Sequence, residues 1–90
     1  MKAYVEITGL IVRVGPECDS WGAPFEFACA GVGSAGRLEI KALAGDVARS
    51  RVLRAHWKAL LDALAPFGFR EIVYQHKGKF STLFKKKDQE

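Results

Sequence analysis

The chain has 90 residues, 49% hydrophobic and 27% charged, with a formal charge of +4. That length makes one domain with a small core, and the composition excludes a disordered chain. No run approaches the ~18 consecutive apolar residues of a membrane span, and two cysteines alone do not make a secreted disulfide scaffold.

The charge is unevenly placed. Residues 49 to 87 hold ten basic side chains against the two acids Asp62 and Glu71, whereas residues 1 to 48 are slightly acidic. Such a split gives the molecule a positive side that attracts polyanions or acidic protein surfaces. Glu6 and Thr8 interrupt the early apolar run before it reaches the length of a secretion signal, so the expected compartment is the cytoplasm.

Residues 3 to 14 alternate like a half-buried strand, but the phase changes midway. Ala3, Val5 and Ile7 share one face, and after Gly9 the apolar set is Leu10, Val12 and Val14. A one-residue phase change requires a bulge, predicted at Thr8-Gly9. Residues 15 to 24 are loop, with two prolines and two glycines. A second strand follows over residues 25 to 30, then a glycine-rich turn over 31 to 36. A third strand spans 37 to 43, with Leu38 and Ile40 inward.

Leu53, Trp57, Leu60, Leu61 and Leu64 form one continuous apolar stripe at helical spacing. Asp46 or Ser50 can cap this helix, Pro66 ends it near Leu64, and Gly68 lets the chain reverse. Arg51, Arg54 and Lys58 lie together opposite the stripe. Residues 69 to 76 read as a fourth strand, Lys77-Gly78 as a tight turn and residues 80 to 84 as a fifth strand. The expectation is α+β: an antiparallel sheet of four to five strands in the order β-β-β-α-β-β, with one helix packed on one face. Residues 1 to 84 form the domain and 85 to 90 a charged tail. The sheet face away from the helix carries Tyr4, Glu6, Ala28, Ala30, Glu39 and Lys41. That face and the Val52, Ala59, Ala63 flank of the helix offer surface for a second copy, so a homodimer is expected.

Gly31-Val32-Gly33-Ser34-Ala35-Gly36 matches the G-x-G-x-x-G phosphate-binding pattern literally. The pattern needs a strand before it and a helix after it, but Arg-Leu-Glu-Ile-Lys follows and alternates as a strand. A plain glycine-rich hairpin is the reading this context favours. Cys18, Cys29, His56 and His76 are the candidate soft metal ligands, yet no two are spaced as neighbouring ligands. Cys29 reads as a small core hydrophobe, Cys18 as a loop thiol, His56 as a helix-edge residue at the core boundary and His76 as solvated. No nucleophile–base–orienter triple stands out, so no enzyme, metal or cofactor is expected.

The constellation that carries weight is basic: Arg51, Arg54, Lys58, Lys77, Lys79, Lys85, Lys86 and Lys87. Phe80 and Phe84 lie among the lysines, share one strand parity and could stack unpaired bases, although core residues show the same parity. A solvated basic face is the commoner meaning of such a run. Trp21 sits in the long loop, outside any periodic stripe. It is either tucked over the core edge, which a small domain favours, or an anchor for a partner.

The segment from His56 through Trp57, Leu60, Leu61 and Leu64 to Gly68-Phe69-Arg70 resembles small proteins encoded by bacteriophages and prophages, chiefly over residues 45 to 76. The resemblance implies a stand-alone accessory protein that acts by binding, a class that includes inhibitors of host defence. It assigns no functional residue. The expected function is therefore non-enzymatic binding of a macromolecular partner, with a nucleic-acid-binding module using the basic half as the alternative.

Overall fold

The structure, a computed structural model, describes residues 1–44 and 54–87. Its elements are β1 (Gly9–Val14), β2 (Phe27–Ser34), β3 (Arg37–Ala44), α1 (Arg54–Leu64), a 3-10 turn (Ala65–Phe67), β4 (Glu71–His76) and β5 (Lys79–Lys85). The strands form one five-stranded sheet in the order β1-β2-β3-β4-β5, and α1 lies across one face. The class is α+β, with one departure from the expected antiparallel sheet: β3 and β4 run parallel. The reason is the crossover through α1. A hairpin reverses a strand, whereas a helical connection carries the chain back to the end from which it started.

Pairing explains which residues form the core. Val12 lies opposite Cys29 and Val14 opposite Phe27 on β1 and β2. Gly31 faces Ile40 and Gly33 faces Leu38 across β2 and β3, and Leu38 lies beside Ile72 on β4. These residues share the helix side, where Leu60 and Leu64 of α1 close the core. Phe27, Leu38, Ile40 and Leu60 are fully buried. Trp57 and Leu61 complete the stripe from half-buried positions. The helix ends at Leu64 where Pro66 predicts, and Gly68 closes the 3-10 turn in a left-handed conformation with φ 72°. Leu53, Asp46 and Ser50, expected in the stripe or as caps, lie outside the described residues, as does Val52.

Several expectations are corrected. The first strand starts at Gly9 rather than residue 3, and no bulge interrupts its pairing with β2. The ladder continues only to Thr8, whose carbonyl accepts the Gly33 N–H at 2.9 Å. At Ile7 the backbone passes directly over Gly33, where any side chain would collide with the Ile7 carbonyl oxygen. Tyr4 and Val5 are then exposed, so Tyr4 and Glu6 are not part of the sheet face.

The glycine segment is also placed differently. Gly31 and Gly33 belong to β2, and the turn itself is Ala35-Gly36, with φ 53° and 83°. Two successive positive φ values make the tight hairpin turn whose twist suits flanking strands. The fourth strand begins at Glu71, not Phe69. Lys77-Gly78 forms its tight turn with φ 50° and 77°. The real irregularities fall between Ala28 and Ala30 and between Ile72 and Val73.

The second of these separates two aromatics. Phe84 pairs with Ile72 on the helix side, while Phe80 pairs with Gln75 on the other face. Their equal parity is undone by the extra residue that the bulge inserts between them.

Candidate cationic site

Registering the basic residues on the sheet divides them into groups. Lys77 and Lys79 occupy the tip of the β4–β5 hairpin, while Lys85, Lys86 and Lys87 lie at its opposite end. Six residue steps along the strand separate Lys79 from Lys85, roughly 20 Å at 3.3 Å per residue. Arg54 and Lys58 are exposed on the helix, and Lys58 Nζ is 2.8 Å from Asp62 Oδ2 one turn on. That carboxylate holds the Lys58 ammonium above its ordinary pKa. Arg51 lies outside the described residues.

Two further cations join the Lys85 end. The Gly36 carbonyl accepts the Arg70 N–H at 2.8 Å and the Glu71 N–H at 3.3 Å, and the Lys86 N–H donates to the Arg70 carbonyl at 2.8 Å. These bonds tie together the β2–β3 turn, the start of β4 and the end of β5. Glycine is favoured at position 36 by its backbone of φ 83°, and a Cβ there would sit 3.1 Å from Arg70 Cδ. The result is a cleft of about 240 Å³ walled by Ala35, Gly36, Arg37, Arg70, Glu71, Lys85 and Lys86. Among the described residues, two arginines, two lysines and one glutamate line it.

The acid is engaged. Arg37 Nε lies 3.4 Å from Glu71 Oε1 and 3.8 Å from Glu39 Oε1, and Lys41 Nζ lies 3.4 Å from Glu39 Oε2. These pairs run across the helix-free face and are solvated, so each contributes little to stability. They hold the Arg37 guanidinium between Glu71 and Glu39 on that face, beside the cleft.

Lys86 also borders a second cavity, of about 240 Å³, on the helix side. Its walls include the apolar Leu61, Leu64, Phe69, Ile72 and Phe84. Phe84 keeps 42% of its surface exposed. A cationic cleft and an aromatic-walled apolar groove thus share one lysine as their boundary.

Sequence reading misses Arg37 and Arg70. Arg37 belongs to the acidic half of the chain, and Arg70 stands alone between Phe69 and Glu71. The available signal is their position next to Gly36 and two residues after Gly68, where chain reversals bring distant segments together.

The remaining candidates are placed as follows. Trp21 is 97% exposed, so the tucked reading is overturned. The loop is anchored by backbone bonds such as Cys18 to Gly15 and Ala23 to Ser20, which leave the indole outside. Nearby Phe25 stands under the Arg13 guanidinium at 5.7 Å. His56 packs edge-on to Phe27 at 5.5 Å and pairs with Glu26 Oε1 at 3.5 Å, at the core boundary. Exposed His76 stacks on Tyr74, which in turn meets Trp57 at 5.1 Å. Cys29 is buried, and burial pushes its thiol up to about 11. Among the described residues no three His, Cys, Asp or Glu side chains are grouped to hold a metal, and no helix is long and apolar enough to cross a membrane.

No protein-family model matches the chain, and no curated protein or solved structure is significantly similar to it.

Proposed function

We propose that the chain is a small non-enzymatic binding protein whose macromolecular partner is nucleic acid, held as a single strand at the Lys85 end of the sheet. The observation that carries this reading is the shared wall formed by Lys86. Phosphate oxygens suit the cleft of Arg37, Arg70, Lys85 and Lys86, and an adjacent unstacked base suits the groove beside Phe84. Base–aromatic stacking is sequence-tolerant and phosphate contacts are sequence-blind, so the expected binding is general rather than site-specific. A binding-only accessory protein of phage type accords with this reading.

The test is titration of labelled single-stranded and duplex oligonucleotides at about 50 mM salt, where phosphate contacts are strongest. Single strands should bind more tightly, and Lys85→Gln/Lys86→Gln/Lys87→Gln should weaken binding and flatten its salt dependence by roughly one slope unit per lysine lost. Lys77→Gln/Lys79→Gln should change little. No binding by the unaltered chain, or equal binding by the triple variant, overturns the reading.

A second reading, a protein partner, rests on Trp21. A fully exposed loop tryptophan, four residues before the Phe25 that stands under Arg13, has the residue types of an interface hot spot. Loss of a captured protein with Trp21→Ala, and its retention by the triple lysine variant, would favour it.

A further inference from the structure

The charges around the cleft differ between its two sides. Among the described residues its lining carries two arginines and two lysines against Glu71, three positive charges in excess. A phosphate within a strand is a diester with a single negative charge. A phosphate at the end of a strand is a monoester with about 1.5 to 2 negative charges near pH 7 and three acceptor oxygens. Arginine and lysine meet such a group with charge-assisted hydrogen bonds.

A strand could leave the cleft over either face of the sheet. Lys85 shares the helix-free face with its partner Glu71, whereas Lys86 borders the apolar groove on the helix side. On the helix-free face the next charges are Arg37 and Lys41, held by Glu39 and Glu71 at 3.4 to 3.8 Å. These two cations and two carboxylates cancel. A second phosphate laid there gains no net attraction and meets the two acids. Toward β2 and β3 the cleft ends on Ala35 and Gly36, which bring neither charge nor aromatic surface. The helix side instead offers the ring of Phe84 among Leu61, Leu64 and Phe69. A strand arriving from the groove has no favourable continuation beyond the cleft.

We infer that the cleft holds the phosphate at the end of a strand: a terminal phosphomonoester lies among Arg70, Lys85 and Lys86, and the base of the same nucleotide enters the groove beside Phe84. This rests on the single-strand reading above and narrows it to strands with a phosphorylated end. Arg37, paired with Glu71, offsets the one carboxylate in the lining. The bonds from the Arg70 and Glu71 N–H groups to the Gly36 carbonyl, and from the Lys86 N–H to the Arg70 carbonyl, fix the spacing of the segments that carry the cations. A site framed in this way loses little freedom when the phosphate arrives.

Fluorescence anisotropy tests the end preference with an internally labelled strand of about eight nucleotides, a length in the range of single-strand sites, at about 50 mM salt. The strand is compared with a 5′ phosphate, with a 3′ phosphate, with hydroxyls at both ends, and with hydroxyl ends but two nucleotides more, which matches the added charge. At one end, 5′ or 3′, the phosphate should tighten binding roughly tenfold over both hydroxyl-ended strands, as one further charge-assisted contact does. Lys85→Gln/Lys86→Gln should lose this preference while keeping the circular dichroism and unfolding midpoint of the unaltered chain, and Lys77→Gln/Lys79→Gln should retain it. Equal affinity for the phosphorylated strands and the longer hydroxyl-ended strand overturns the inference and leaves the single-strand reading standing. A preference that survives Lys85→Gln/Lys86→Gln likewise removes the phosphate from the cleft. Absence of binding to every strand overturns both.

Discussion

Arg37 holds its guanidinium 5.3 Å from the centre of the Phe80 ring, bridging β3 and β5 across the intervening β4. The same side chain reaches Glu71, so its position is set from two sides. Phe80 is thereby given a role on the helix-free face that its sequence parity with Phe84 conceals. An exposed cation–π pair is worth ~0.5–1 kcal/mol. A double-mutant cycle of Arg37→Ala and Phe80→Ala, read from urea midpoints, should return a coupling of that size. A coupling near zero would mean that the ring does not position the arginine.

The helix stripe predicts the largest single loss. Leu60 is fully buried between α1 and the sheet, whereas Arg54 is exposed on the outer helix surface. Leu60→Ala should cost about 2–5 kcal/mol, from lost transfer energy and an unfilled cavity, and Arg54→Ala should stay within roughly 0.5 kcal/mol. Thermal unfolding followed by circular dichroism separates the two. Similar midpoints would place the helix the wrong way round.

What could be read from the chain depended on how local its physical cause is. The Leu60–Leu64 stripe, the break at Pro66 and the Gly68 reversal are set by neighbours in sequence and appear where expected. The inward Leu38 and Ile40 follow from simple alternation and are fully buried. The parallel β3–β4 pair was not legible, because nothing in either strand records which neighbour it will find after a helical crossover. The opposite faces of Phe80 and Phe84 depend on a bulge that only pairing reveals. The cationic cleft is non-local in the same way: Gly36, Arg70 and Lys86 are joined by backbone bonds between three distant segments. Lysine counting found one wall of it and grouped with it Lys77 and Lys79, which lie at the other end.

The three glycines of the G-x-G-x-x-G segment should respond differently to alanine. At Gly33 the new methyl meets the Ile7 backbone, which cannot rotate away, so the arm before β1 must move. At Gly31 it meets the Leu38 and Leu10 side-chain tips at 2.8 and 2.9 Å, which can shift. At Gly36 the strain comes from the left-handed backbone, about 1 kcal/mol for a single residue. Gly33→Ala should therefore be the most destabilising, typically costing roughly 1–3 kcal/mol as overpacking does. It should also raise hydrogen exchange at its own amide, which now donates to Thr8. If Gly31→Ala proves the costlier change, the passage of Ile7 over Gly33 is not the constraint described here.

The two thiols should behave as different chemical species. Cys18 is half-buried in the loop, whereas Cys29 is 2% exposed between β1 and β3, with burial raising its pKa from 9.0 to about 11. A thiolate is the reactive form, so native protein near pH 8 should show one fast-reacting thiol and denatured protein two. The same shift has a consequence for stability. Below pH 9.0 both folded and unfolded chains keep the Cys29 proton, and the residue's favourable contribution is fully present. Between 9.0 and about 11 the unfolded thiol ionises first, so the unfolded state binds fewer protons and stability falls as pH rises. The loss should total on the order of 2–3 kcal/mol once the folded pKa is passed, at about 1.4 kcal/mol per pKa unit. The informative quantity is the difference from Cys29→Val, which keeps an apolar side chain and removes the proton. Urea midpoints measured from pH 8 to pH 11 should fall more steeply for the unaltered chain than for Cys29→Val. Parallel slopes would show that Cys29 ionises as readily in the fold as outside it, and that the core between Val12 and Ile40 admits water.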